Sequence, residues 1–111
     1  MTNAASNELS LVYVTVGSEA DAVRIGTQLV QERLAACANV SSAVTSIYEW
    51  QGVLERSQEV QLFMKARSVD LDVVIARVKE LHGYECPCIV ALPITAAFEP
   101  FRRWVLEGTT R

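Results

Sequence analysis

Residues 43–65 read AVTSIYEWQGVLERSQEVQLFMK, and this stretch decides the fold. Ala43 to Trp50 is rich in β-branched and aromatic residues, which favour a strand. Gln51-Gly52 has the composition of a turn, and Val53 begins a return strand, so the segment predicts a β-hairpin. We expect the hairpin to span about Val40 to Arg67, with strands longer than the usual ~5–6 residues. Part of it should therefore project beyond the core of its own domain.

The return strand has the alternation of a half-buried β-strand. Between Glu59 and Lys65, apolar residues alternate with residues that are mostly polar. This alternation is expected when one face of the strand lies on a core. A long projecting hairpin would expose apolar surface and edge hydrogen bonds unless another subunit covered it. The sequence therefore predicts an oligomer, in which the exposed apolar residues of the hairpin are Ile47, Tyr48, Trp50, Val53 and Leu54.

Before the hairpin, the sequence predicts one strand and one helix. Leu9 to Gly17 is an unbroken run of β-favouring residues, which is typical of a strand in the middle of its sheet. Ser18 follows as a helix N-cap, with Asp21 at the reciprocal N3 position. Apolar residues at helical spacing then predict an amphipathic helix that ends near Leu34 to Ala36.

After the hairpin, the sequence predicts a second helix, a fourth strand and a terminal helix. Asp70 is a good N-cap for a helix with regular apolar spacing, and Gly83 is its expected C′ residue. Cys88 to Ile94 is predicted to be a strand, and Pro93, which lacks an amide donor, places its position at a sheet edge or at the end of the strand. Ala97 to Leu106 is predicted to be a helix that packs through Phe98, Phe101, Trp104 and Val105.

The element order is β-α-β-β-α-β with an additional C-terminal helix. Two βαβ halves of this kind form a four-stranded antiparallel sheet with both helices on one face, the α+β ferredoxin-like arrangement. The chain has 111 residues, half of them hydrophobic, which is enough for one core. We therefore predict a single domain from residue 9 to residue 111, preceded by a flexible tail at residues 1–8.

Charge and composition argue against several classes of function. The formal net charge is -3 and the ten basic residues are scattered, so the clustered positive charge of a nucleic-acid-binding surface is missing. No segment approaches the ~20 apolar residues of a membrane span, and no secretory signal is recognisable. Three cysteines in such a chain indicate reduced thiols, so we predict a cytoplasmic protein. A single histidine, without a Ser-His-Asp set or a Gly-rich phosphate loop, argues against an enzyme.

The segment His82-Gly83-Tyr84-Glu85-Cys86-Pro87-Cys88 predicts a candidate site. Imidazole and thiolate are ligands that suit copper and zinc, and thiols two residues apart point to the same side of an extended segment. His82, Cys86 and Cys88 are therefore candidate metal ligands, with Glu85 as a weaker one. The alternative interpretation is that His82 only contacts the last helix carbonyls and that both thiols are small packing residues.

Four motifs in the chain resemble those of the CutA divalent-cation-tolerance family. They are Leu34-Ala35-Ala36-Cys37-Ala38, the hairpin turn from Ser46 to Gly52, the strand from Glu59 to Lys65, and His82 to Pro87. The similarity covers about Leu11 to Trp104, nearly the whole chain. It implies a ferredoxin-like homotrimer in which the long hairpin packs against neighbouring subunits. It also implies a role in the tolerance of copper and other divalent cations.

The chain differs from this family at the metal site. Some members bind copper through histidines and a cysteine, whereas this chain has Val14 at the position of that cysteine and Leu81-His82 where two adjacent histidines occur. Cys86 and Cys88 are additional thiols. A different set of histidine and cysteine ligands would therefore have to bind the ion. We predict that this ligand set binds a divalent cation, with copper as the first candidate.

The resemblance also implies a second kind of site, because the family trimer is similar to that of the PII signalling proteins. Those proteins bind small ligands in clefts between subunits. Glu59, Lys65 and Glu85 are charges within apolar segments, and a buried charge requires a partner. We predict that they lie in such a cleft with Trp50 and Tyr84, and that Lys65 pairs with a carboxylate. The alternatives are a PII-like module that binds a small anion near Lys65, and a Lys65 that merely faces solvent.

Overall fold

Four strands and three helices make up most of residues 7–111, the part of the chain that a computed structural model describes. Most of the predicted tail at residues 1–8 lies outside this range. None of the helices within it has the length and apolar character needed to cross a lipid bilayer. The elements are β1 Leu9–Val16, α1 Glu19–Gln31, β2 Cys37–Trp50, β3 Val53–Arg67, α2 Leu71–Leu81, β4 Ile89–Ile94 and α3 Glu99–Gly108, with a short 3-10 turn at Ser68–Asp70 before α2.

The strands form one antiparallel sheet in the order β2-β3-β1-β4. Helices α1 and α2 contact each other and lie on the same face of this sheet. The predicted α+β ferredoxin-like fold with an additional C-terminal helix is therefore confirmed. Pro93 lies in β4, which is an edge strand as predicted.

The core is formed by alternate residues of β1 and β3 and by the inner faces of α1 and α2. Val14 and Leu62 are paired across the two strands and are fully buried. Burial of one such side chain contributes roughly 1.5–3 kcal/mol to stability, so the core face of the sheet is firmly specified. The alternation predicted for β3 is confirmed. The other core residues are mainly Val12, Val16, Ile25, Leu29, Val60, Met64, Val74 and Val78.

The distal half of the hairpin projects beyond the sheet, as predicted. Pairing between β1 and β3 ends at Val16 and Val60, so residues 53–59 of β3 have only β2 as a neighbour. At the tip, Gln51 and Gly52 have φ angles of 51° and 83°, which are those of the type I′ turn that suits twisted strands. The hairpin also begins earlier than predicted, because β2 starts at Cys37.

Helix α1 ends earlier than the sequence predicts. Ser18 is its N-cap, as expected, and its hydroxyl accepts a hydrogen bond from a first-turn amide at 3.1 Å. The helix ends at Gln31 rather than near Leu34 to Ala36, because Arg33 adopts a left-handed φ of 59°. The amides at positions 33 and 34 then donate to carbonyls of the last turn, which is the Schellman pattern. Glycine usually occupies the C′ position that Arg33 takes here, so the sequence contains no signal for the end of α1 at this point.

Other predicted boundaries also need correction. Asp70 occupies the N-cap position of α2, but its side chain makes no capping hydrogen bond. Gly83 follows the C-cap residue without adopting left-handed backbone, and β4 begins at Ile89 rather than at Cys88. Helix α3 is displaced by two residues. Of the side chains predicted to pack it, Val105 is buried, and the exposed ones are Phe98, Phe101 and Trp104.

Asp70 anchors the C-terminus of the chain instead of capping a helix. Its buried carboxylate accepts hydrogen bonds from Arg111 at 2.8 Å and from Arg67 at 3.0 Å. The hydrogen bond from Arg111 is the largest influence and outweighs the effect of burial, so the pKa of Asp70 lies below its ordinary value of 3.8. The charged form of Asp70 is therefore part of the folded structure.

Replacing Asp70 with asparagine should lower the free energy of unfolding by about 1–3 kcal/mol at neutral pH, because two arginines lose a charged acceptor. Since folding lowers the pKa of Asp70, the carboxylate stabilises the fold above the ordinary value of 3.8, and this contribution is lost as the pH falls through the folded value. Urea denaturation of the parent and Asp70→Asn proteins across this range measures the difference. Asp72→Asn, an exposed acid in the first turn of α2, is the control. A difference that does not shrink in acid would contradict this assignment.

Candidate functional site

A cleft of about 750 Å³ lies between the projecting part of the hairpin, the end of β1 and the loop at residues 82–88. Clefts of this size accommodate small ligands. His82 and Lys65 are absent from its wall. The other six predicted site residues all line it: Trp50, Glu59, Tyr84, Glu85, Cys86 and Cys88.

Glu59 is the buried charge of this cleft. The residue is only 8% exposed and is the first in β3 beyond the end of the β1 pairing. Tyr84 Oη donates a hydrogen bond to Glu59 Oε2 at 3.0 Å. Within residues 7–111, Glu59 forms no ion pair, and no Lys, Arg or His side chain lines the cleft. In the described chain, its only hydrogen-bonding side-chain partner is therefore a neutral phenol.

Tyr84 remains protonated and covers Glu59. Burial, and then the neighbouring Glu59 carboxylate, raise the pKa of Tyr84 from 10.0 to about 12. Its hydroxyl is therefore a hydrogen-bond donor throughout the physiological range. The ring also approaches the end of β1 closely, since a Cβ at Gly17 would lie 3.2 Å from Tyr84 Oη. Glycine at position 17 leaves room for this hydroxyl.

His82 is buried and holds the loop at residues 82–88 in place. Its Nδ1 accepts a hydrogen bond from the Tyr84 amide at 3.1 Å, so its Nε2 carries the proton and donates to the Thr15 carbonyl at 2.8 Å. The imidazole also makes an edge contact with the Tyr84 ring, with centroids 4.6 Å apart. Both nitrogens are thus engaged within the chain. The alternative interpretation placed His82 against the last carbonyls of the preceding helix, but the side chain instead contacts a carbonyl of β1.

The two thiols of the predicted metal site are accessible. Cys86 and Cys88 are free and exposed in the cleft wall, which argues against the alternative that they are packing residues. The structure does not bring His82 together with them as a ligand set. Across residues 7–111, no group of three or more His, Cys, Asp or Glu side chains is arranged to hold a metal ion.

Lys65 lies away from this cleft of the single chain, so its pairing with a carboxylate in a cleft between subunits stays a prediction. Its Nζ donates to Asn39 Oδ1 at 2.6 Å, and this contact is exposed. Glu59 and Lys65 are six positions apart on the same face of β3, which separates them by roughly 20 Å. The alternative position, on the solvent-facing part of the strand, agrees with this contact.

Polar residues of β1 also line the cleft and were not among the predicted site residues. Tyr13 and Thr15 face the cavity, and Tyr13 Oη accepts a hydrogen bond from Gln61 Nε2 at 3.0 Å. The signal was present in the sequence, because alternation along β1 places these residues on the face opposite Val12 and Val14. The unbroken β-favouring character of the strand concealed this alternation.

Comparison with known proteins agrees with the resemblance noted in the motifs. The family model of the CutA1 divalent ion tolerance protein matches residues 10–108. The chain belongs to this family. Its members are described by tolerance of divalent ions rather than by a reaction, and this description supports a role in metal tolerance.

Individual CutA proteins resemble the chain in sequence and in structure. The divalent-cation tolerance protein CutA of Thermus thermophilus is 43% identical over 99 residues, which cover 89% of this chain and 96% of that protein. A CutA homologue of Xenopus laevis is 41% identical over 100 residues, which cover 90% of this chain but only 66% of that protein. The solved structure of the Thermus thermophilus protein matches with a TM-score of 0.88 at 42% identity, covering 92% of this chain and 99% of that one.

A further CutA structure bears on cellular location. It is described as the periplasmic divalent cation tolerance protein CutA of Archaeoglobus fulgidus, and it matches with a TM-score of 0.89 at 33% identity, covering 92% of this chain and 99% of that one. The cytoplasmic location expected from the cysteines therefore stays a prediction. Val14, which the family resemblance places at the cysteine position of metal-binding members, is fully buried in the core.

Tyr84 should titrate near pH 12, above the ordinary tyrosine value of 10.0, because burial and Glu59 both disfavour its anion. In Glu59→Gln its pKa should fall but stay above the ordinary value, since burial remains. NMR titration of isotope-labelled tyrosine measures this, with the Tyr84→Phe variant assigning the late signal and Tyr48→Phe, from the same cleft, as the matched control. A Tyr84 signal that titrates at the ordinary value of 10.0 would show that the Glu59 contact is absent in solution.

Proposed function

We propose that this CutA protein binds a divalent cation in the cleft and thereby contributes to the tolerance of such cations. The observation that carries the proposal is Glu59, a carboxylate that is 8% exposed, lines a cavity and has no cationic partner within residues 7–111. Burying a charge is costly unless an opposite charge compensates it. A cation in the cleft supplies that charge.

The residues around Glu59 offer oxygen donors to such an ion. Glu85 adds a second carboxylate to the wall, and Tyr13, Thr15 and Tyr48 add hydroxyl groups. Copper is the first candidate, because Cu²⁺ binds a given set of oxygen and nitrogen ligands more tightly than the other divalent ions of its row. The copper tolerance implied by the family resemblance supports the same choice.

The rival function, an anion-binding module like the PII proteins, has less support from this geometry. An anion site requires donors or positive charge, whereas the charged residues in the cleft wall within residues 7–111 are Glu59 and Glu85. Lys65, on which the anion hypothesis depended, contacts Asn39 on the far part of the sheet. The cleft of the single chain is therefore better suited to a cation.

We also propose that the protein is a cytoplasmic homotrimer. The exposed apolar residues of the hairpin support an assembled state, since Ile47 is 69% and Leu54 is 75% exposed in the single chain. Contiguous apolar surface of this kind favours association. The number of subunits rests on the family resemblance, and the location rests on the free thiols.

Calorimetry with copper, zinc and a panel of small anions tests the binding proposal. The parent protein should release or absorb heat with a divalent cation, and Glu59→Gln should weaken that binding by at least tenfold, about 1.4 kcal/mol, because the compensating charge is removed. Lys65→Ala is the matched control on the same strand and should bind the cation like the parent. Heat with an anion that disappears in Lys65→Ala would instead support the PII-like function. If no ligand gives a heat of binding, the binding proposal is contradicted and a purely structural role is supported.

Light scattering tests the assembly. Leu54→Glu should produce monomer or aggregate at micromolar concentration, because it places a charge in the apolar surface of the projecting hairpin. Val69→Glu is the matched control, since Val69 is 84% exposed and lies outside the hairpin. A parent protein that remains a stable monomer at that concentration would overturn the proposed trimer.

A further inference from the structure

The loop at residues 82–88 places two thiols in the wall of the cleft. Cys86 and Cys88 are separated only by Pro87, and both are free and exposed. Both line the cavity that contains the buried Glu59. The divalent cation proposed above is bound by oxygen donors, so these two sulfur atoms have no role in that site.

We propose that Cys86 and Cys88 form a two-thiolate site for a soft monovalent cation, namely Cu(I), separate from the divalent-cation site at Glu59. Thiolates select Cu(I), whereas carboxylates and hydroxyls suit harder divalent ions. Cu(I) is stable between two thiolates in a line, so the site needs no third side chain. This agrees with the lack of a three-residue metal cluster within residues 7–111.

The loop is anchored at both ends, which holds the thiols over the cleft. At its start, His82 donates to the Thr15 carbonyl at 2.8 Å and Tyr84 donates to Glu59 at 3.0 Å. At its end, the chain enters β4 at Ile89, which pairs with β1. Between the anchors, Pro87 has a fixed φ. The two sulfur atoms are therefore on a short, restricted segment, and little chain entropy is lost when one ion joins them.

Binding exchanges the two thiol protons for one ion and leaves the oxidation state of copper and sulfur unchanged. Because the thiolate is the competent form, affinity should fall as the pH is lowered. The buried Glu59 carboxylate remains in the same cavity as an oxygen donor for a different ion. One cleft would thus hold ions of two classes, distinguished by the hardness of the donor atoms.

Anaerobic competition against a chromogenic Cu(I) chelator tests the proposal on the full chain. The parent should bind one Cu(I) per subunit. Loss of an outer-shell partner already weakens a metal site about 10- to 100-fold, so Cys86→Ser and Cys88→Ser should each weaken binding by more than about 100-fold. Cys37→Ser is the matched thiol control, because Cys37 pairs with Lys65 at the opposite end of the sheet. X-ray absorption of the Cu(I) complex should show sulfur alone in the first shell.

Glu59→Gln separates this proposal from the proposed function. It should bind Cu(I) like the parent while binding divalent cations at least tenfold more weakly in the calorimetric experiment. If Glu59→Gln weakens Cu(I) binding as much as the cysteine variants do, the two sites are one and the proposal is overturned. It is also overturned if both serine variants, folded by circular dichroism, retain parental affinity. If the parent fails to bind divalent cations but binds Cu(I), the thiol site is still supported, because chelator competition measures Cu(I) binding independently of the calorimetry.

Discussion

The mismatch in length between two paired strands is the constraint on which the rest of the structure depends. Strand β1 has 8 residues and β3 has 15, so their pairing ends at Val16 and Val60 while β3 continues with only β2 beside it. The sheet therefore narrows from four strands to two within a short distance, since β4 stops pairing with β1 at Val14 and β1 ends at Val16. Glu59 lies at this step, where a side chain on the open face is no longer flanked by β1. The cleft exists because the loop at residues 82–88 closes part of the gap that β1 leaves.

Much of this fold could be predicted from the sequence because periodicity reports directly on burial. The alternation around Leu62 marks the core face, and Gln51-Gly52 marks the turn, since both patterns are local. The end of α1 could not be predicted in the same way. Arg33 takes up left-handed backbone because its neighbours satisfy the last helical carbonyls, and no property of arginine indicates it. The capping role predicted for Asp70 is wrong for a similar reason: its side chain binds Arg111, which is distant in the sequence.

The candidate site shows where sequence reasoning reaches its limit. Composition predicts a site in the segment from His82 to Cys88, but it does not say which atoms already have partners. His82 is engaged through both nitrogens with β1 and with its own loop, whereas the thiols remain accessible. The sequence pattern groups Glu59 with Lys65 because both are charges in one apolar strand. Their spacing of six residues keeps them on one face of the strand yet far apart. The rise per residue along a strand sets this distance, and residue type does not reveal it.

The carboxylates of this chain differ in how their charge is compensated. Glu32 and Glu99 each face an arginine, and the hydrogen bond from that arginine lowers the pKa of each. Asp70 is buried between two arginines, and its pKa is lowered in the same way. Glu59 is as buried as Asp70, yet its donor is the neutral Tyr84. A charge compensated by arginine stabilises the fold, whereas a buried charge that faces a cavity beside a neutral donor keeps its attraction for a cation. Within residues 7–111, the cleft is therefore where a buried carboxylate lacks a compensating arginine, as the proposed cation site requires.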